Sequence, residues 1–292
     1  MSKRVATPFP YQGSKRLLAN SILEHIPSKV SRFFEPFAGS AAIALAIASD
    51  QPETEIFLND INEPLANLWR RIIETPESLA GNYEKLWQDQ HGDPKAFYNK
   101  VRNRFNVEKD PADFLYLLAR CVKGAIRYNS VGEFNQSPDN RRLGTKPEKM
   151  RIQLQDTSDL LKGRTLVSSL DYRKALTTAN SNDLVYLDPP YQGVSTNRDS
   201  RYLSGLSFDE FVESLRNLIS KDVPLIISYD GKTGEKIYGK ILPDELELEH
   251  FYLNAGKSTS STLHGKIEIT YESLYISKSL INSGLRQNLL FQ

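Results

Sequence analysis

The apolar positions of this chain change spacing along its length, and the changes mark its elements. Leu17, Leu18, Ile22 and Ile26 recur on one face at helical spacing, with Ser14 placed to cap and Pro27 to stop, which predicts a helix over 14–26. Arg32-Phe33-Phe34-Glu35 reads as a short strand ending at Pro36-Phe37-Ala38-Gly39. The Ala-, Leu- and Ile-rich run 40–48 reads as a buried helix, and 55–59 as a second strand stopped by Asp60. Strand, loop, helix, strand and acid in this order form half of a dinucleotide-type fold.

From Glu63 to Asp156 the texture becomes helical with mixed polarity, for example over 65–73 and 113–125, before a turn-rich stretch at 129–147. Strand signals return at 165–168, 184–187 and 224–228, with a helix at 207–219 between the last two. Alternation over 266–276 predicts one further long strand. The expected architecture is an α/β, Rossmann-like core made of 1–62 and 157–278. A mostly helical insertion over 63–156 interrupts it, and 279–292 form a tail.

Composition narrows the class. With 292 residues, 39% hydrophobic and 25% charged, the chain suits a soluble globular protein. No apolar run is long enough to span a membrane, and the start leads into prolines rather than a signal-peptide core. A single cysteine, Cys121, fits a reducing cytoplasm. Net charge is only +1, yet residues 120–151 carry eight basic side chains against three acidic ones. That block suits phosphates, and equally a solvated loop.

Four constellations carry chemistry. Gly39 at a strand-to-helix turn lets a ligand approach the backbone, and the following helix start favours an anionic group such as an amino-acid tail. Asp60, at the end of the next strand, can accept ribose hydroxyls, although an isolated aspartate there also serves as a helix cap. Together they favour a ligand with adenosyl and amino-acid parts; S-adenosylmethionine fits both, and NAD fits less well. Asp188-Pro189-Pro190-Tyr191 follows a buried strand, where its prolines demand a strand end. A carboxylate, a fixed main-chain carbonyl and a ring at that place can grip a planar amine. Lys15 sits in the first turn of a helix, where a cation gains nothing from the dipole; by itself it also reads as a surface lysine. The four histidines lack metal-site spacing, which argues against zinc chemistry.

In this order the motifs Tyr11–Lys15, Pro36–Gly39, Leu58–Asn62, Arg127–Asn135 and Asp188–Tyr191 resemble those of Dam-type DNA adenine methyltransferases, over roughly residues 8–277. The resemblance implies methyl transfer from S-adenosylmethionine to the N6 amine of an adenine flipped out of double-stranded DNA. It implies that Tyr11 and Lys15 border cofactor and base, that Phe37 and Gly39 hold the methionine part, and that Asp60 binds the ribose. Asp171 and Tyr172 would lie by the cofactor adenine; Asp188, Pro189 and Tyr191 would hold the target base, with Asp188 also bordering the cofactor. DNA contacts are expected from Arg120, Lys123, Arg127, Tyr128, Asn129, Glu133, Phe134, Asn135, Arg141 and Arg142, on an insertion carrying a β-hairpin.

The chain departs from GATC-type members after Asn135, where Gln136-Ser137-Pro138-Asp139 replaces Val-Pro-Phe-Gly, and at Ser258–Thr262, which replaces a basic loop. A recognition site other than GATC is therefore expected. So is a cytoplasmic monomer, either paired with a restriction endonuclease or acting alone. Competing readings are an N4-cytosine or RNA amino-methyltransferase, a protein-amide methylase, and a DNA-binding protein without catalysis.

Overall fold

The computed structural model describes residues 7–190, 206–234, 236–257 and 269–282. Tyr191, the Ser258–Thr262 segment, the start of the expected terminal strand and most of the tail lie outside them.

Five parallel strands form the centre: β1 (Arg32–Glu35), β2 (Glu55–Asn59), β3 (Thr165–Ser168), β4 (Asp183–Leu187) and β5 (Leu225–Thr233). Short β6 (Lys236–Tyr238) pairs with β5, and β7 (Leu248–Lys257) lies at the edge beyond β8 (Ile269–Ser277). The order is β3-β2-β1-β4-β5-β8-β7, with β8 antiparallel to both neighbours. β4 is buried at every position, as a strand covered on both faces must be. The chain leaves β1 toward β2 and returns to place β4 on β1's other side. The carboxyl ends of β1 and β4 therefore flank a topological switch point, where open α/β sheets bind ligands. This is the Rossmann-like α/β core expected from the strand spacing.

One apolar core joins α1 (Ala19–Leu23) and α2 (Ala42–Asp50) to the inserted helices α3 (Glu63–Glu74), α4 (Pro76–Asp89), α5 (Pro94–Glu108), α6 (Pro111–Arg120) and α7 (Pro147–Leu161). The other face of the sheet packs on α8 (Tyr172–Ala175) and α9 (Phe208–Ile219). Proline at the first turn of α3 to α7 sets each start, where its missing N–H costs no hydrogen bond.

The elements differ from expectation at informative places. The predicted helix at 14–26 is split into a 3-10 turn, Lys15–Leu17, and α1, and Ser14 makes no capping hydrogen bond. α2 begins two residues late, because Gly39 and Ala41 both take left-handed backbone. α6 stops at Arg120 rather than running to 125, because Cys121 is extended and Lys123 left-handed. A contact with the N-terminal segment fixes that exit: Gln12 N–H donates to the Gly124 carbonyl at 3.1 Å. A Cβ on Gly124 would meet the Pro10 carbonyl oxygen at 2.5 Å. α7 runs through the expected boundary at 156 to Leu161. The expected hairpin consists of two isolated antiparallel bridges, Tyr128 with Phe134 and Cys121 with Pro138, and not of continuous strands.

β5 and β8 shift register between Ser228 and Gly231, and a Cβ on Gly231 would stand 2.1 Å from the Tyr271 carbonyl oxygen. Gly231→Ala should therefore destabilise the fold by about 1–3 kcal/mol, the usual scale of overpacking. A urea midpoint equal to wild type would refute this.

Candidate active site

The ends of β1, β2 and β4 place three acids around the switch point. Asp60, just past β2, accepts from Gly39 N–H at 3.0 Å through Oδ2 and from Asn62 N–H at 2.9 Å through Oδ1. It therefore fixes the turn leading into α3 and braces the glycine turn with one carboxylate. Burial raises its pKa, and the two amide bonds oppose that shift. Asn59, before it, ties three loops together: its amide donates to the carbonyls of Pro36 and Leu170, and its oxygen accepts from Leu170 N–H and the Ser168 hydroxyl.

The turn at Gly39 is packed from one side by the Tyr11 ring. Gly39 has φ +48, and a Cβ there would meet the Tyr11 ring at 2.9 Å. Its carbonyl accepts from Trp69 Nε1–H at 2.9 Å, while the Ser40 hydroxyl donates to the Ser14 hydroxyl at 2.7 Å. Phe37 meets Tyr172 with ring centroids 5.1 Å apart. Tyr11, Phe37, Gly39, Asp60 and Tyr172 thus lie around one turn.

One expectation needs revision. The first-turn amides of α2 are not left for a ligand, because the Glu35 carboxylate accepts from Ala44 N–H at 2.8 Å. Burial pushes the Glu35 carboxyl up to about 8, amide bonds from Ala44 and Ile43 counter this, and Asp188 adds to it. Asp171 caps α8 through Arg173 N–H and holds the Arg173 guanidinium at 2.8 and 2.9 Å, so both its oxygens already have partners. That pairing with Arg173 lowers its pKa.

Asp188 lies at the end of β4, beside Lys15, whose ammonium is 3.0 Å from Asp188 Oδ1 and 3.0 Å from Glu272 Oε1 on β8. Lys15 is 7% exposed, which rules out a surface lysine. Burial opposes its charge, but the two carboxylates outweigh burial and raise its pKa. Burial pushes Asp188 up to about 6, with Lys15 restraining the rise and Glu272 adding to it. Glu35 and Glu272 had no motif to announce them; Glu35 precedes a recognisable turn, but Glu272 sits in an ordinary alternating strand.

The insertion divides the expected DNA contacts. Arg120, Tyr128 and Phe134 are 2%, 3% and 1% exposed and cannot reach DNA from the interior. Arg120 donates to the Asp139 carbonyl at 3.0 Å, Tyr128 to Asn62 Oδ1 at 3.0 Å, and Phe134 packs on Phe105 and Phe114. Lys123, Arg127, Asn135, Arg141 and Arg142 are exposed. Asn129 and Glu133 build the tip: Asn129 Oδ1 accepts from Val131 and Glu133 N–H, and its amide donates to the Glu133 carboxylate. Among the described residues no cluster could hold a metal ion, and no helix is long and apolar enough to cross a membrane.

A Rossmann-like sheet with acids and a glycine turn at the open ends of its strands is the architecture of a methyltransferase. Residues 11–255 match the D12 class N6 adenine-specific DNA methyltransferases, and the chain belongs to that family. It is 29% identical over 272 residues to Type II methyltransferase M1.LlaDCHI of Lactococcus lactis subsp. cremoris, covering 88% of this chain and 91% of that one. It is 29% identical over 215 residues to the retron Ec67 DNA adenine methylase of Escherichia coli, covering 72% and 69%. It is 28% identical over 218 residues to Type II methyltransferase M.MjaIII of Methanocaldococcus jannaschii, covering 68% and 73%. The enzyme transfers a methyl group to the N6 amine of adenine in DNA.

Glu35 binds its proton more tightly in the fold than in the open chain. Its contribution to stability is full below the ordinary carboxyl value of 4.5 and is lost as pH rises through about 8. Glu35→Gln removes that titration, so the variant should gain stability relative to wild type across this window. Parallel urea midpoints from pH 4.5 to 8 would expose the error if the difference stayed flat.

Proposed function

We propose that the methyl donor is S-adenosylmethionine, held at the glycine turn, and that Asp188 grips an adenine flipped from double-stranded DNA. The carrying observation is the placement of the Gly39 turn and Asp188 at the ends of the adjacent strands β1 and β4. The residues fit the donor: Gly39 takes the left-handed turn without a Cβ to meet the Tyr11 ring, Phe37 and Tyr172 offer a ring wall, and each Asp60 oxygen retains a lone pair for a ribose hydroxyl. When bound, S-adenosylmethionine supplies an electrophilic methyl group. Tyr11 and Lys15 border that space, and Asp171 bounds it from α8.

Asp188 and the Pro189 carbonyl accept the two hydrogens of the adenine amine, which turns the nitrogen lone pair out of the ring. Tyr191 stacks on the base, a contact on the order of 1–3 kcal/mol that offsets part of the unstacking cost. Positioning and fixed charge then supply most of the catalysis. Asp188 need not be a strong base, since the amine becomes acidic only as the new bond forms.

The insertion binds DNA through Lys123, Arg127, Asn135, Arg141 and Arg142, with Asn129 and Glu133 shaping the tip and Arg120, Tyr128 and Phe134 supporting it from within. Gln136–Asp139, where the chain leaves the GATC-type pattern, supports a different recognition sequence. Two relatives carry the name Type II methyltransferase, which supports a role beside a restriction endonuclease. We take the active unit to be a cytoplasmic monomer.

Asp188→Ala should abolish methylation, leaving calorimetric binding of S-adenosylmethionine within about threefold of wild type; turnover near the wild-type rate would sink the assignment. Single-molecule sequencing of unmethylated DNA exposed to the enzyme should show N6-methyladenine at one short motif other than GATC. Modified cytosine, or GATC as the motif, would contradict it.

A further inference from the structure

The Lys15 ammonium touches two carboxylates where one would neutralise it. Asp188 would neutralise the charge, while a second acid takes up another of the three ammonium donors and adds like-charge repulsion inside a desolvated site. A further reason for Glu272 emerges when the reaction is considered. Asp188 Oδ1 is the oxygen that Lys15 contacts, and the same carboxylate must turn to a neutral amine. If Asp188 were its only partner, the ammonium would compete with the base for that oxygen, because a charged donor outbids a neutral one.

We propose that Glu272 is a positioning residue that retains the Lys15 ammonium when Asp188 turns to the adenine amine, leaving the Asp188 carboxylate available to that amine. This rests on the assignment of Asp188 as the adenine grip. The geometry suits an exchange: both contacts are 3.0 Å from one nitrogen, so Lys15 can release Asp188 without leaving its second partner. Glu272 is placed for this by β8, whose register sets it opposite Gly231 of β5 and Leu253 of β7. Lys15 from the 3-10 turn and Glu272 from β8 act on Asp188, which in turn raises Tyr186 on β4 and Glu35 on β1. Tyr186 donates to the Ser228 hydroxyl at 2.9 Å, and its phenol is held well above its ordinary value by burial.

The test is the pH dependence of single-turnover adenine methylation at saturating DNA and S-adenosylmethionine, for wild type, Glu272→Gln, Glu272→Asp and Lys15→Met. Glu272→Gln removes the like charge that raises Asp188 and leaves Asp188 as the one carboxylate of this pair on Lys15. Its acid limb should move to lower pH, while the plateau rate falls at least about tenfold, as for a small misplacement of reacting groups. Glu272→Asp should recover part of the rate, and Lys15→Met should move the acid limb upward. Binding of S-adenosylmethionine by Glu272→Gln, measured by calorimetry, should match wild type and so report an intact fold.

A Glu272→Gln plateau equal to wild type overturns the inference. So does a fall in rate with the acid limb unmoved, which is the mark of a merely structural residue. Activity in Asp188→Ala would instead overturn the assignment beneath it, so the two failures are told apart.

Discussion

Buried carboxylates at the open end of the sheet are the constraint to which the rest of the structure answers. A desolvated acid is costly unless hydrogen bonds or an opposite charge compensate it. Each acid here has a different compensation. Glu35 takes the amide of Ala44, Asp60 takes those of Gly39 and Asn62, and Asp188 takes the Lys15 ammonium. These partners lie in the loops that the site needs in fixed positions. The start of α2, the turn at Gly39 and the segment before α1 are therefore all anchored by acids at strand ends. A glycine turn without Asp60 would have no brace on its amide, and a lysine turn without Asp188 would lose one of the two carboxylates that hold it inside.

The same anchoring ties the helical insertion to the open end of the sheet. The insertion shares its apolar core with α1 and α2, so it does not hang from the catalytic sheet by linkers. Two contacts reach the site directly. Gly124 packs on Pro10, in the segment leading to Tyr11 and Lys15, and Tyr128 donates to Asn62, which also contacts Asp60. The hairpin is thus buried at its root and exposed at its tip. Arg120, Tyr128 and Phe134 hold the root, while Asn129 folds the tip through its own side chain, so the exposed Arg127 and Asn135 stand on a fixed base.

Much of this was legible in the chain, and the reason is local. The bounds of β1, β2 and β3 follow from apolar runs closed by proline, glycine or aspartate, and the Gly39, Asp60 and Asp188 turns announce themselves by composition. β7 escaped notice although it alternates: Phe251, Leu253 and Ala255 pack inward, with Tyr252 and Asn254 outward. Its polar flanks carry no stop signal, so the alternation has no visible edges. Residue type also misled. A basic or aromatic side chain in a turn-rich basic block suggests a DNA contact, but burial depends on packing partners far along the chain. Arg120 is interior because its guanidinium meets the Asp139 carbonyl, and no property of the arginine itself reports that.

Lys15 shows most sharply where local reading ends. From neighbours alone, a lysine at the start of a helical segment has no reason to be buried. Its reason lies in Asp188 and Glu272, which are brought to it by β4 and β8, two strands that are not sheet neighbours. Glu272 reaches the site only because β8 runs antiparallel beyond β5, with the register shift at Gly231 setting its position. A parallel strand in that place would run the other way and present its carboxyl-terminal residues at this edge instead. The reversed strand therefore does more than close the sheet: it delivers from the end of the chain a charge that the amino-terminal lysine requires.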